Sequence, residues 1–405
     1  MPSQKPAVVP PHTLLTPAEG GPPPPDRGEK PSLLFVAPVM PLLSGNGLAM
    51  RCGMTLEVLA DLYRVSLLVV PLYPPRDRPI PEFFAERCER TAVAAPEAAP
   101  AAYQSMRFDA VHAYRLAAFP FARPYFAEGS GRFRSLDLDD IESRTHRAIA
   151  ALHLANSDAR QAELADGDAK RYLLLEGLAF RMLDRVSVCS EHDRQLLLPR
   201  CPAPIAVWPN TARPPAAIAP RPDGVFRFLF VGTLGYYPNH DAVIWFCRSI
   251  LPLIAQAAPG PFTLDIVGGG ASEALAAAAA ASGARLLGKV AELQPVYEAA
   301  HAVIAPLRAG GGTRIKILEA FSYGRPVVAT PIGIEGIAVA PEEHALVAES
   351  PEAFAAACIR LMTDWDLGER LARSAMSLWS RLYSSEALRR VVSAPAGFPV
   401  RPESP

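Results

Sequence analysis

The stretch AVIAPLRAGGGTRIKILEAFSYGRPVVAT, residues 302–330, constrains this chain more than any other. Its apolar opening, Ala302 to Leu307, is short and runs straight into glycine, which suits a buried strand. Gly310, Gly311 and Gly312 follow, then Thr313 in position to cap a helix. The helix itself is written in RIKILEAFSYG, with apolar residues at Ile315, Leu318 and Phe321 on a helical spacing. Gly324 ends it, and Pro326 opens a second strand, PVVAT. Strand, glycine loop, helix, strand is the unit of parallel α/β sheets, in which ligands sit at the carboxyl ends of the strands.

A glycine run at that point lets backbone N–H groups approach an anion, and the helix N-terminus behind it adds roughly half a positive charge. A phosphate is the natural guest. Lys316 and Glu319 are three residues apart and share a face, so a cation and an acceptor both border what the loop holds, with Arg314 beside them. The plain alternative is an ordinary β-α-β unit whose charges form a solvated pair.

The same order of elements recurs. SLLFVAPV (residues 32–39) reads as a buried strand, LLSGNG (residues 42–47) as a loop, LAMRCGMTLEVLADLY as a helix with apolar Leu48, Cys52, Leu56 and Leu59, and VSLLVVPLY as a strand. Gly45 and Gly47 are a second candidate anion or sugar contact, with Arg51 one turn into the helix; a plain tight turn explains the glycines almost as well. FDAVHAYRLAAF places His112, Tyr114 and Arg115 near the exit of a further strand. Residues 74–102 mix proline, arginine and alanine and read as an irregular insertion.

RSLDLDDIES ends a strand in Asp137, Asp139 and Asp140. Two carboxylates at a strand end are how metal-dependent nucleotide-sugar enzymes hold a divalent cation. The same letters arise where Asp caps the next helix, and the distance in sequence from the glycine loop favours that structural reading. None of the eight histidines forms an HxxxH or HxH pair.

Helical stretches fill residues 141–183, and DRVSVCSEHDRQLL places Ser190 as an N-cap after a strand. TARPPAAIAPRPDG marks a linker. Beyond it strands alternate with helices: VFRFLFVGTLG with Gly232 at its exit, FTLDIVGGGAS with Gly268 to Gly270, then ARLLGKV, then the opening stretch. Two doubly wound α/β domains facing each other across a cleft are expected. Residues 1–31 form a proline-rich tail, 32–207 and 224–376 the domains, 208–223 the linker, 377–392 a closing helix, and 393–405 a second tail.

A formal net charge of −1 gives no argument for nucleic acid. The six cysteines include no CxxC pair and suit buried free thiols. No apolar run approaches the length of a membrane span, and no basic-then-apolar leader opens the chain, so a cytoplasmic protein is expected.

With these segments in view, PLRAGGGTRIKILEAFSYGRPVVAT resembles the signature of family 4 glycosyltransferases of the GT-B fold. RSLDLDDIES, VSVCSEHD, WPNT, FVGTLGYYPNHDAVIWF and LLGKV resemble segments of the family in the same order, so the likeness runs from about Ser32 to Val392. The resemblance implies transfer of a sugar from a nucleotide-sugar donor, with retained configuration and without a metal ion or other cofactor. It implies a glycan, lipid-linked or small-molecule acceptor, leaves room for peripheral membrane contact, and has the closing helices, residues 379–392, cross back to the N-terminal domain.

Carried over by position, Glu319 matches the second glutamate of the family's paired-glutamate motif and would accept from the ribose hydroxyls. The first glutamate falls at Gly311, a departure that shifts its work to the backbone of Gly311, Gly312 and Thr313. The arginine and lysine that family members carry after the first strand of the C-terminal domain are missing from GTLGYYPNHD, so the diphosphate falls to Arg314 or Lys316, with Lys316 better spaced to Glu319. Val290, in LLGKV, matches the part that holds the base through its backbone. Gly45 and Gly47 match the loop facing donor phosphates and acceptor, and Tyr114 stands where a histidine is common, with His112 two residues before it. No general base is assigned.

Three other readings compete. A dinucleotide-binding oxidoreductase would rest on LDIVGGGAS, but its fingerprint needs glycine at Ser272 or Glu273 and an acidic residue closing the next strand, which ARLLGKV lacks. A nucleotide-sugar-binding protein without turnover would fit Gly311 and the missing histidine. A metal-dependent transferase would rest on Asp137 and Asp139.

Overall fold

The computed structural model describes residues 30–72, 79–126, 131–220 and 222–393. β1 (Ser32–Ala37) is buried on both faces after its first residue, which is what a central parallel strand requires. α1 (Gly47–Leu62) returns to β2 (Arg64–Val69). There follow α2 (Glu82–Ala85), β3 (Arg90–Val93), β4 (Phe108–Tyr114), α3 (Phe119–Ala122) and β5 (Gly131–Asp137). α4 (Glu142–Ala155) and α5 (Ala159–Phe180) form a hairpin before β6 (Arg185–Val188), α6 (Glu191–Leu197) and β7 (Ile205–Val207). Among the described residues these strands make one parallel sheet in the order β3-β2-β1-β4-β5-β6-β7.

The second unit opens with β8 (Phe226–Val231), α7 (Tyr237–Trp245), a π-helical turn at Phe246–Ile250 and α8 (Leu251–Ala257). Then come β9 (Phe262–Val267), α9 (Glu273–Ala281), β10 (Arg285–Gly288), α10 (Gln294–Glu298), β11 (Ala302–Ala305), α11 (Ile315–Ser322), β12 (Val327–Ala329) and β13 (Leu346–Val347). α12 (Pro351–Thr363), α13 (Trp365–Leu382) and α14 (Ser385–Val392) close the chain. Its sheet runs β10-β9-β8-β11-β12-β13, again parallel. The strand order reverses between β1 and β4 in one sheet and between β8 and β11 in the other, and crevices for ligands open at such switch points. This is the α/β architecture of two doubly wound domains that the alternation of strands and helices predicts.

Each sheet has apolar clusters on both faces. The linker joins the two: Trp208 packs with β1 and α1, whereas Ala212 packs with β8 and α11. Trp379 of α13 still belongs to the C-terminal core, and α14 alone reaches back, inserting Leu388 and Val392 beside α1 while Arg389 pairs with Asp61. The return therefore begins after α13, later than residue 377.

Two elements differ from expectation. Within residues 74–102, expected to be irregular, β3 pairs with β2 as an edge strand. Its residues are mostly exposed, so it carries no apolar run to announce it. Likewise IAV before WPN is a strand, β7, completing the far edge beside β6. The tails at 1–31 and 393–405 lie outside the described residues except for residues 30, 31 and 393. Among the described residues no helix is long and apolar enough to cross a membrane, and all six cysteines are buried and free.

Candidate active site

The C-terminal half of the site is built on β11 and α11. Gly310 and Gly312 have φ of 131° and 61°, left-handed values that favour glycine, so the chain turns sharply out of the strand and into the helix. Thr313, expected to cap α11, does not; Arg314 holds the cap position, without a side-chain capping bond. The Thr313 hydroxyl instead accepts from Asn210 Nδ2 at 2.8 Å, and its N–H donates to Cys189 Sγ at 3.2 Å. Contacts to the linker and the N-terminal domain have taken the groups that would otherwise cap the helix.

Arg314 folds back so that Nη1 donates to the carbonyls of Gly311, at 2.9 Å, and Gly312. Lys316 Nζ donates to Asn239 Oδ1 at 2.7 Å and stands 4.1 Å over the Phe230 ring. Burial, aided by the Arg314 charge, pulls its pKa down to about 7. Glu319 Oε2 accepts from the Tyr297 hydroxyl at 2.9 Å. Burial pushes the Glu319 carboxyl up to about 7, against the opposing effects of that bond and of Lys316. A side chain at Gly232 would begin 2.8 Å from Lys316 Nζ, so this glycine makes room for the lysine. Val290 packs against the same cluster as Tyr297.

The N-terminal half faces it. Asn46 caps α1 by accepting from Ala49 N at 2.9 Å, between Gly45, at φ 113°, and Gly47. A Cβ at Gly47 would lie 3.2 Å from Ile315 Cδ1, so this loop rests against the first residue of α11. Arg51 is not available to an anion. It is buried, and Nε and Nη2 donate to the two Asp137 oxygens at 3.1 and 2.8 Å, while Nη1 donates to Trp208 O and Asn210 Oδ1. Its place on the inward face of α1, over the end of β5, gives that carboxylate the first claim on it.

His112, an acceptor-side candidate by sequence, lies in the core instead. It is fully buried within β4, Nδ1 lies 2.8 Å from Ser135 Oγ, and its ring lies against Trp208. Burial, with the charges of Arg51 and Arg185, pulls its pKa down to about 3. It is a neutral core histidine and not an acceptor contact. Tyr114 is buried too, donating to Leu48 O at 2.7 Å. Arg115, at φ 67°, pairs with Asp139 at 3.2 Å, with Asp140 at 3.9 Å, and with Glu142.

Asp137 and Asp139 are held in ion pairs rather than used as caps: Ile141 is the cap of α4 and makes no side-chain capping bond. Asp137 and Asp139 spend their oxygens on Arg51 and Arg115. α4 then spans the cleft. At one end a Cβ at Gly311 would overlap the Asp140 carboxylate and the Thr145 hydroxyl, and Arg144 pairs with Glu335 at 2.5 Å. At the other, Asn156 Nδ2 donates to Asp241 Oδ1 at 2.7 Å and Arg308 donates to Asn156 Oδ1 at 3.0 Å.

The structure thus brings Gly232, Gly311, Gly312, Thr313, Arg314, Lys316 and Glu319 to one side of a cleft and Gly45, Gly47 and Arg115 to the other. Sequence reasoning missed Asn239 and Tyr297, the partners of Lys316 and Glu319. Asn239 lies inside the YYPNHD segment, but nothing in local spacing marks either residue.

Two doubly wound domains with their switch-point loops opposed define the GT-B fold. Residues 225–364, the C-terminal domain, match the family model of the glycosyl transferases group 1. Among solved structures, sucrose-phosphate synthase from Thermosynechococcus elongatus superposes with a TM-score of 0.67 at 16% identity, over 89% of this chain and 96% of that one. Anabaena HepE in complex with UDP and glucose gives 0.65 at 16% identity, over 90% and 98%. A protein of the Klebsiella pneumoniae cps region, named only by its mass of 44.6 kDa, is 28% identical over 166 residues. That match spans 39% of this chain and 42% of the relative.

Proposed function

We propose that this protein is a retaining glycosyltransferase that moves a sugar from a nucleotide-sugar donor to a glycan or lipid-linked acceptor in polysaccharide synthesis, without a metal ion. The observation that carries the reading is the half-buried Lys316 and the buried Glu319 on one helix behind Gly310, Gly311 and Gly312 at the switch point of the C-terminal sheet. The UDP and glucose held by HepE, and the cps region that names the Klebsiella relative, support the donor and acceptor classes.

In this reading Glu319 accepts from the ribose hydroxyls and Lys316 faces the diphosphate. Breaking the bond from sugar to phosphate leaves negative charge on the nucleoside diphosphate. The α11 N-terminus and Lys316 are fixed where that charge develops and need no reorganisation to meet it. Contacts of α4 across the cleft hold the domains together over the donor and limit the access of water.

Thermal shift against nucleoside diphosphates and their sugar conjugates tests the reading, since a ligand of the folded state raises the melting temperature by an amount set by its concentration over Kd. One nucleotide family should stabilise the protein, and Lys316→Ala and Glu319→Ala should lose the shift. Full donor affinity and turnover in both variants would sink it. A donor shift with no transfer to any acceptor would favour binding without turnover, a reading to which Gly311 lends some weight.

A further inference from the structure

The cleft holds a second pair of opposed polar groups that Lys316 and Glu319 do not account for. On the C-terminal side Arg314 is only 8% exposed, and its Nε and Nη2 have no hydrogen-bond partner among the described residues. Its guanidinium lies beside Gly310: a Cβ there would stand 3.5 Å from Nη2. Buried guanidinium N–H groups left without acceptors are costly, and a ligand that supplies acceptors removes the cost.

On the N-terminal side stands Asp140. Its Oδ1 accepts from the Thr145 hydroxyl, while Oδ2 accepts no hydrogen bond among the described residues and has Arg115 at 3.9 Å as its ion-pair contact. Its backbone is fixed from behind: Asp139 is held at φ 54° with its carboxylate on Arg115 and Arg51. The carboxylate and Thr145 lie against the backbone of Gly311, in the volume that any side chain at that position would enter. The charge of Arg314 acts on Asp140, and the charges of Asp140 and Arg314 both act on Tyr236. Gly310, Gly311 and Gly312 are thus flanked by unused donors on one domain and an unused acceptor on the other.

A group that fits between them both donates and accepts hydrogen bonds at neighbouring atoms. Vicinal hydroxyls do this: each donates once and accepts up to twice. A phosphate, which only accepts, leaves the Asp140 oxygen unmatched and repelled. We infer that Asp140, from the N-terminal domain, reads hydroxyls of the donor's sugar together with Arg314, supplying across the cleft the carboxylate that Gly311 does not carry. The inference rests on the glycosyltransferase reading and adds to it a residue that selects the sugar rather than the nucleotide.

The test uses the full chain and calorimetric titration with UDP, GDP and ADP, and with UDP-glucose, GDP-mannose and ADP-glucose. Asp140→Asn keeps the shape and the Thr145 contact but loses the charge. It should weaken the sugar nucleotide that the wild type binds by about 10- to 100-fold, the usual scale for a hydrogen bond to a charged group, and leave the matching diphosphate unchanged. Thr145→Val, which keeps the side-chain volume but removes the hydroxyl that holds the Asp140 carboxylate, should show the same selective loss and guards against a failure of Asp140→Asn to fold. Undiminished sugar-nucleotide affinity in Asp140→Asn, or equal loss of diphosphate and sugar nucleotide in both variants, would overturn the inference while leaving the transferase reading standing. A wild type that binds none of the six probes would overturn both.

Discussion

His153 of α4 and Tyr237 of α7 stack face to face across the two domains, with ring centroids 3.7 Å apart and planes inclined by 7°. Asn156 reinforces the contact by donating to the Tyr237 hydroxyl at 2.9 Å. The stack closes one end of the cleft, as the approach of Asp140 and Thr145 to Gly311 closes the other. An aromatic pair contributes about 0.5–1.5 kcal/mol beyond its buried area. Tyr237→Ala should therefore lower the closed population about 2- to 12-fold, seen as a larger radius of gyration in X-ray scattering and a higher ratio of donor hydrolysis to transfer. An unchanged scattering profile and an unchanged ratio would show that the stack does not govern closure.

The buried pair of Arg51 and Asp137 predicts a loss of stability. The exposures of the two side chains are 2% and 0%, so Arg51→Met strands a carboxylate in the core. Breaking such a pair on one side costs about 3–5 kcal/mol, and replacing both partners with apolar groups costs less. In urea unfolding, Arg51→Met should lower stability by that amount, and Arg51→Met with Asp137→Leu by less than the sum of the single changes. Additive losses would mean that the two residues act separately.

What was legible in the sequence was whatever local pattern dictates. The doubly wound order could be read because each central strand is a short apolar run ended by glycine or by a capping residue, as at Val36, Gly45 and Ser190. β3 and β7 went unread because edge strands need bury little. Contacts between residues distant in sequence hide for another reason. Arg51 and His112 have the right chemistry for a site and lie near strand ends, but their side chains point inward to Asp137 and Ser135, partners 86 and 23 residues away along the chain. Thr313 lost its capping role to Asn210 and Cys189, more than a hundred residues earlier. Pairings at that range leave no periodicity to find, which is also why Tyr297 and Asn239 were invisible.

The acidic cluster bears on metal dependence. Asp137 and Asp139 are committed to Arg51 and Arg115, and binding a divalent cation there would require breaking buried charge pairs. Turnover in excess EDTA should match turnover without it, and added magnesium or manganese should not raise it. A rate that falls with chelator and recovers with either ion would restore the metal-dependent reading.

Lys316 and Glu319 meet near neutrality from opposite directions, which in the proposed reading gives donor binding an acidic and an alkaline limb. Glu319 is raised from 4.5 to about 7. Its contribution to stability is full below its unfolded value and disappears as pH rises through about 7. Lys316 is lowered from 10.5 to about 7. Its contribution is full above its unfolded value and disappears as pH falls through about 7. The empty protein is thus least helped by this pair near neutrality, where both groups carry charge in a buried site. If Glu319 accepts from the ribose and Lys316 faces the diphosphate, as proposed, the donor needs that state, with Glu319 ionised and Lys316 protonated. Affinity for the donor should peak near neutrality and fall on both sides, by as much as about tenfold per pH unit when one proton is linked to binding. Glu319→Gln should remove the acidic limb while leaving the alkaline one, and Lys316→Met the reverse. Titrations at a series of pH values decide it, because a profile that stays flat in the wild type, or keeps both limbs in either variant, would assign the proton linkage to other groups.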